Sequence, residues 1–275
     1  MACRSPSTEP GAGSPSSASP RSGTTATIST GSSRVSRTGS SSSASSGLDM
    51  ASRAPTDDPS APARYADLLV AALDQLGLDA PILLGNSIGA TASILCASRR
   101  PVRALVLCDS GGLVEITPMV ARICRLHERF FAAGEHGARW FGPAFRVYYR
   151  FVLTQSAAAG QRRRIAAGAP MRAKLLREAW ASFGAASADI RDVAAALAVP
   201  IWAAWGDHDR TVPLSYCLPA IHRLQNATVS TFNAGHSPFL EQPDAFTDGL
   251  LNFAATLPAV RAERLRAYNS VWPVA

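Results

Sequence analysis

Four short tracts with strand character, three of them followed by helical stripes, constrain this chain more than any other feature. They are Pro81-Ile82-Leu83-Leu84, Val102 to Cys108, Val199 to Trp205 and Ala227 to Phe232. The first is a continuous apolar run and the second is one from Ala104 on, the pattern of strands buried on both faces. Around them the apolar residues recur at helical spacing. Arg64 to Leu76 places Leu68, Leu69, Ala72, Leu73 and Leu76 on one stripe, and Gly77 ends it. Ile88 to Ser98 reads as a small-residue helix, and 188–197, 213–224 and 243–256 as further helices. Strands alternating with helices imply a parallel sheet covered on both faces, an α/β fold.

Between the second and third strands lie about 80 residues, far more than a simple connection needs. Thr117-Pro118 is a good N-cap and first-turn pair, and Met119, Ile123, Leu126 and Phe130 follow it on a helical stripe. Trp140, Phe141, Phe145, Tyr148 and Phe151 repeat the pattern, and Pro170 starts a helix running to Phe183. This insertion holds ten of the chain's twenty aromatics. It reads as a helical cap whose aromatics mostly pack it onto the sheet, a few of them lining a substrate pocket.

Charge singles out the same region. Residues 119–178 hold eleven arginines and Lys174 against Glu128, Glu135 and Glu178, whereas the whole chain of 275 residues is only +7. An anionic substrate, an acidic partner or a membrane surface would each suit that balance. The interleaving of arginine with apolar residues favours a solvated helical face. No nucleic-acid-binding motif accompanies it. No apolar run approaches the length of a membrane span, and no secretory h-region opens the chain. Five cysteines without C-x-x-C spacing point to reduced, partly buried thiols rather than a disulfide framework or zinc site.

The texture changes near residue 60. Residues 1–60 are dominated by Ser, Gly, Thr, Pro, Ala and Arg, too little apolar surface to offset the entropy of ordering them, so they read as disordered. Their arginine-rich, acid-poor composition also resembles an organelle transit peptide. Out-of-frame reading of GC-rich coding would give similar text, since Lys174 stands alone against 26 arginines. The expected compartment is cytoplasmic, or an organelle if the segment is a transit peptide. The divisions are 1–60 as this segment, 61–114 as the first part of the core, 115–198 as the cap, 199–260 as the second part of the core, and 261–275 as a tail.

The chemistry falls at strand ends. Gly85-Asn86-Ser87-Ile88-Gly89 is a G-x-S-x-G pentapeptide between a buried strand and a small-residue helix, where a nucleophile elbow must sit. The other reading is a polar turn with Ser87 as N-cap. A serine hydroxyl needs a base to take its proton, and that base needs an orienting carboxylate. Asp209 follows the third strand in Trp205-Gly206-Asp207-His208-Asp209, and His236 follows the fourth in Gly235-His236-Ser237-Pro238. The order Ser87, Asp209, His236 is the chain order of this triad type.

These three motifs, with Asp209-Arg210-Thr211-Val212-Pro213 and Pro238-Phe239-Leu240-Glu241-Gln242-Pro243 around them, resemble the α/β-hydrolase superfamily over residues 62–258. The resemblance implies a parallel sheet flanked by helices with an inserted cap. It makes Ser87 the nucleophile, His236 the general base, Asp209 its partner, and the Ile88 backbone N–H an oxyanion donor. Asp207 and Asp109 are rival acids, and His208 is an exposed loop residue. It implies hydrolysis of a small carboxylic ester or related acyl substrate, with no metal or organic cofactor. Asn86 and the cap also resemble hydrolases that cleave carbon–carbon bonds in ring-opened aromatic acids. In that family four strands precede the elbow, and the loop after the third donates half of the oxyanion hole. Residues 1–60 show neither, so the N-terminal part of the sheet reads as missing or replaced. The strand of Ile82 to Leu84 is then expected to be an apolar edge, and a catalytically impaired product is the third alternative.

Overall fold

A computed structural model describes residues 25–28 and 62–258. Five parallel strands form one sheet: β1 (Thr25–Ile28), β2 (Ile82–Asn86), β3 (Ala104–Cys108), β4 (Ile201–Gly206) and β5 (Ala227–Phe232), neighbours in that order. Every residue of β2, β3 and β4 is buried. Successive side chains on a strand point to opposite faces, and here the two faces carry two separate cores. Leu83, Leu105, Leu107, Ile201, Ala203 and Trp205 pack against α1 (Pro62–Gln75), α2 (Ile88–Ala97), α7 (Arg191–Ala195) and α8 (Leu214–Ile221). Ile82, Leu84, Val106, Trp202 and Ala204 pack on the other face with Phe246, Leu250 and Phe253 of α10 (Pro243–Thr256).

The strand tracts read from the sequence all form, and so does the parallel order. One expectation is corrected. The segment before residue 60 supplies a strand, since Thr25 to Ile28 pairs with Ile82 to Gly85. β2 is therefore flanked on both sides and is not the sheet edge. Thr25, Thr27 and Ile28 are β-branched, which favours extended backbone. Four residues within Ser/Thr/Gly-rich surroundings are too few for a period to show. The expectations for the remainder of 1–60 and for 259–275, Cys3 included, lie outside the described residues. The helix expected over 188–197 is shorter, with a 3-10 turn at Ala186–Ala188 before α7.

Between β3 and β4 the chain makes α3 (Pro118–Glu135), α4 (Phe141–Val152), α5 (Ala159–Ala167) and α6 (Ala169–Phe183). Thr117 caps α3 as expected, its Oγ1 accepting the N–H of Val120 at 3.3 Å. The aromatics of this insertion do something other than pack it onto the sheet. Phe131, Phe141 and Phe145, with Phe130, Tyr148, Tyr149 and Trp180 around them, form a core of the insertion's own. Its arginines Arg122, Arg125, Arg129, Arg146 and Arg150 are exposed, the solvated face the interleaving implied. Cys96, Cys108, Cys124 and Cys217 are free and buried. Burial pushes the Cys96 thiol up to about 11, so it stays protonated at neutral pH. No helix among the described residues is long and apolar enough to cross a membrane.

Candidate active site

In a parallel sheet the loops at the carboxyl ends of the strands gather at one rim. There the ends of β2, β3 and β4 and the loop after β5 carry Ser87, Asp109, Asp209 and His236, all buried.

Ser87 sits at φ 54°, ψ −118°, a conformation a side chain adopts only when its surroundings enforce it. The enforcement is visible. Ser87 N–H donates to the Cys108 carbonyl at 3.0 Å, and the Ser87 carbonyl accepts N–H groups from Ala90, Thr91 and Gly111. The glycine two residues earlier is obligatory. A Cβ on Gly85 would run into the Gly89 carbonyl and lie 2.5 Å from the Ala90 nitrogen. The Ser87 side chain makes no capping bond to α2, so its hydroxyl is not spent as an N-cap. Ile88 opens α2, where backbone N–H groups lack helical partners and a developing negative charge is favoured.

Asp209 and His236 meet directly, Nδ1 to Oδ2 at 2.8 Å. A carboxylate only accepts, so the imidazole proton lies on Nδ1 and Nε2 is left to accept another. The other oxygen of Asp209 accepts the N–H groups of Thr211 at 2.7 Å and Val212 at 3.1 Å. Trp205 braces that loop by donating its indole N–H to the Val212 carbonyl at 2.8 Å. Burial alone would raise the Asp209 carboxyl. The His236 charge and hydrogen bond, with the two backbone N–H donors, outweigh it and hold the group below its ordinary range. Asp207 and His208 are exposed, which leaves Asp209 as the residue paired with the imidazole.

The elbow is tied to the histidine loop through Asn86, whose side-chain amide donates to the His236 carbonyl at 2.9 Å and the Cys108 carbonyl at 3.2 Å. No hydrogen bond between Ser87 Oγ and His236 is made among the described residues. A second tie comes from Glu241 in α9 (Pro238–Glu241). Its carboxylate accepts from Gly235 N–H at 2.8 Å, Thr154 N–H at 2.6 Å, Gln155 N–H at 2.7 Å and the Thr154 hydroxyl at 3.1 Å. His236 N–H also donates to the Val152 carbonyl at 2.7 Å. The end of α4 is thereby fastened to the loop carrying the imidazole. Neither tie was legible from the motifs, although Asn86 and Glu241 both lie inside them.

Asp109, Asp209 and His236 each offer a donor atom within 4.8 Å of the others, a spacing a cation could bridge. Asp209 is engaged with His236 and with two backbone N–H groups, and Asp109 Oδ1 with Gly206 N–H at 2.9 Å, while Asp109 Oδ2 has no partner among the described residues. On the insertion, Leu126, His127, Phe130, Ala144, Val147, Tyr148 and Phe151 line an apolar hollow of about 330 Å³. Arg210, next to Asp209, stacks over the Phe151 ring with its guanidinium carbon 5.5 Å from the centroid.

A parallel sheet with a strained serine elbow, an acid loop and a histidine loop at one rim defines the class of hydrolases built on an α/β scaffold. The chain belongs to the Alpha/beta hydrolase family, whose model matches residues 29–248. Membership makes it an enzyme of hydrolase type, and the match begins well before the first residue at which the motifs become legible.

Solved structures share the fold. An α/β hydrolase, MGS-M2, from a Medee basin deep-sea metagenome library is 17% identical, with a TM-score of 0.61 over 75% of this chain and 76% of that one. A thermophilic esterase from Thermogutta terrifontis, solved with malate bound, is 19% identical, with a TM-score of 0.56 over 72% of this chain and 73% of that one. The enol-lactonase from Burkholderia xenovorans LB400 is 18% identical, with a TM-score of 0.57 over 74% of this chain and 75% of that one. No curated protein sequence matches the chain.

Proposed function

We propose that the chain is a serine hydrolase acting on a small carboxylic ester or related acyl substrate through Ser87, His236 and Asp209. The observation that carries this reading is the 2.8 Å bond from His236 Nδ1 to Asp209 Oδ2, on a loop tied by Asn86 to the strained elbow of Ser87. With Nδ1 committed, Nε2 is the nitrogen free to take a proton from the serine hydroxyl. Ser87 Oγ then attacks the acyl carbonyl. The oxyanion develops beside the N-terminus of α2, with Ile88 N–H as one donor, and the imidazolium returns its proton to the leaving alcohol. Water repeats the sequence on the acyl-enzyme.

The esterase and lactonase names among the structural neighbours support this reading, and the apolar hollow of the insertion would suit an acyl chain. Carbon–carbon bond hydrolysis rested on Asn86 together with the inserted cap. Its side chain is spent on two backbone carbonyls and offers nothing to a substrate, so the ester reading stands ahead. The impaired alternative rested partly on the missing neighbour of β2, a place that β1 fills.

The test is turnover of p-nitrophenyl esters from acetate to octanoate by the full chain. Hydrolysis that Ser87→Ala abolishes supports the reading. Hydrolysis unaffected by Ser87→Ala, or none by folded protein on any acyl chain, contradicts it.

A further inference from the structure

Asp109 is a carboxyl beside the site to which the mechanism assigns no task. It follows β3, is fully buried, and holds φ 44°, a left-handed conformation that aspartate and asparagine tolerate better than most residues. Its Oδ1 accepts the N–H of Gly206 at 2.9 Å. Its Oδ2 is buried without a partner as long as it can only accept. An orphaned carboxylate oxygen in the interior is costly, and a second carboxylate a few ångströms away makes it costlier. The remedy is one proton, which turns the orphan from an acceptor into a donor, and a carboxylate oxygen of Asp209 lies within 4.8 Å of the Asp109 carboxyl.

We propose that Asp109 is a positioning residue: its carboxyl stays neutral and Oδ2–H donates to Asp209, so the pair carries one negative charge. The inference rests on reading Asp209 and His236 as the working acid–base couple. It accounts for the unpaired oxygen and for how two acidic side chains share a dry pocket. It also completes the hydrogen bonding of Asp209, which then accepts from Thr211, Val212, His236 and Asp109. The groups facing Asp109 agree with a neutral acid. They are Asp209 and His236 from the two loops, Glu241 from α9, the Cys108 thiol at the end of β3 and the Cys217 thiol of α8. Burial first, then the charge of Asp209, push the Asp109 carboxyl well above its usual range, whereas Asp209 is held low. Two carboxyls whose surroundings drive them apart take different protonation states.

Asp109→Asn keeps an acceptor for Gly206, a neutral donor for Asp209 and tolerance of the positive φ. Asp109→Ala keeps none of these. His236 is followed by NMR titration of its ring, a measurement that needs no turnover, and kcat/KM is followed against pH in parallel. The expected result for Asp109→Asn is an unmoved His236 titration and kcat/KM within about threefold of wild type. In Asp109→Ala the Asp209 carboxylate, stripped of its donor, holds the imidazolium more tightly. The His236 titration and the acid limb then move to higher pH. If Asp109 were a second anion, both substitutions would remove negative charge and move His236 to lower pH; a downward shift in Asp109→Asn overturns the proposal. Should either variant fail to fold, carboxyl-13C NMR of wild-type protein labelled at aspartate decides. A buried aspartate still protonated at neutral pH supports the pair, and its absence overturns it. If the titrations behave as expected while Ser87→Ala leaves ester turnover intact, the pair stands and the serine-hydrolase reading falls.

Discussion

The side-chain amide of Asn86 and the backbone carbonyl of His236 are hydrogen bonded at 2.9 Å across 150 positions of sequence. Because the same amide reaches the Cys108 carbonyl, both partners of Asn86 Nδ2 are acceptors. Asn86→Asp would set a carboxylate against two carbonyl oxygens. It is expected to lose about 1–3 kcal/mol of stability, more than Asn86→Ala, with a drop in turnover as the histidine loop loosens. Urea denaturation of the two variants reads the order.

Glu241 makes a comparable tie between the insertion and the histidine loop. Glu241→Ala leaves the N–H groups of Thr154, Gln155 and Gly235 without their acceptor and is expected to destabilise by about 2–4 kcal/mol. Glu241→Gln keeps one oxygen and turns an NH2 group toward N–H donors, so it falls between the two. Chemical denaturation measures both. A loss under about 0.5 kcal/mol in Glu241→Ala would show that the tie carries no weight.

Gly206 ends β4 where the acid and histidine loops cross. A Cβ there would collide with the Gly235 carbonyl and lie 2.6 Å from that of Ala234, and backbone cannot step aside as a flexible side chain can. Gly206→Ala is therefore expected to separate Asp209 from His236 or to prevent folding. Circular dichroism and thermal melting distinguish the two outcomes.

The paired aspartates give stability a pH dependence of two opposite signs. Asp209 has a depressed folded pKa, so its contribution is present above the unfolded value of about 3.9 and is lost as pH falls through the folded one. Asp109 has a raised folded pKa, so its contribution is present below about 3.9 and is lost as pH rises through the folded one. Asp209→Asn should flatten the acid side of the profile. Asp109→Asn should flatten the decline above pH 4. Unfolding free energies across the acid to neutral range check both signs.

The sheet was legible because β2, β3 and β4, buried on both faces, read as short apolar runs, and β5 falls on Ala227–Phe232 as read. β1 was not, because four residues hold two periods at most. The Asp209–His236 pair followed from motif order, since each residue sits just after its own strand. The ties Asn86 and Glu241 make to the histidine loop and the insertion were hidden because His236 and Thr154 lie 150 and 87 positions away, beyond any local pattern. The aromatics misled on one point. Their helical spacing shows that a face is buried but not against what, and here it is buried inside the insertion.

The most direct measurement is covalent labelling of the folded chain by a fluorophosphonate, with the modified peptide located by mass spectrometry. A serine activated by the Asp209–His236 couple should carry the adduct at Ser87, labelling should vanish in Ser87→Ala, and it should collapse in His236→Ala. Undiminished labelling in His236→Ala, or an adduct on any other residue, would contradict the account.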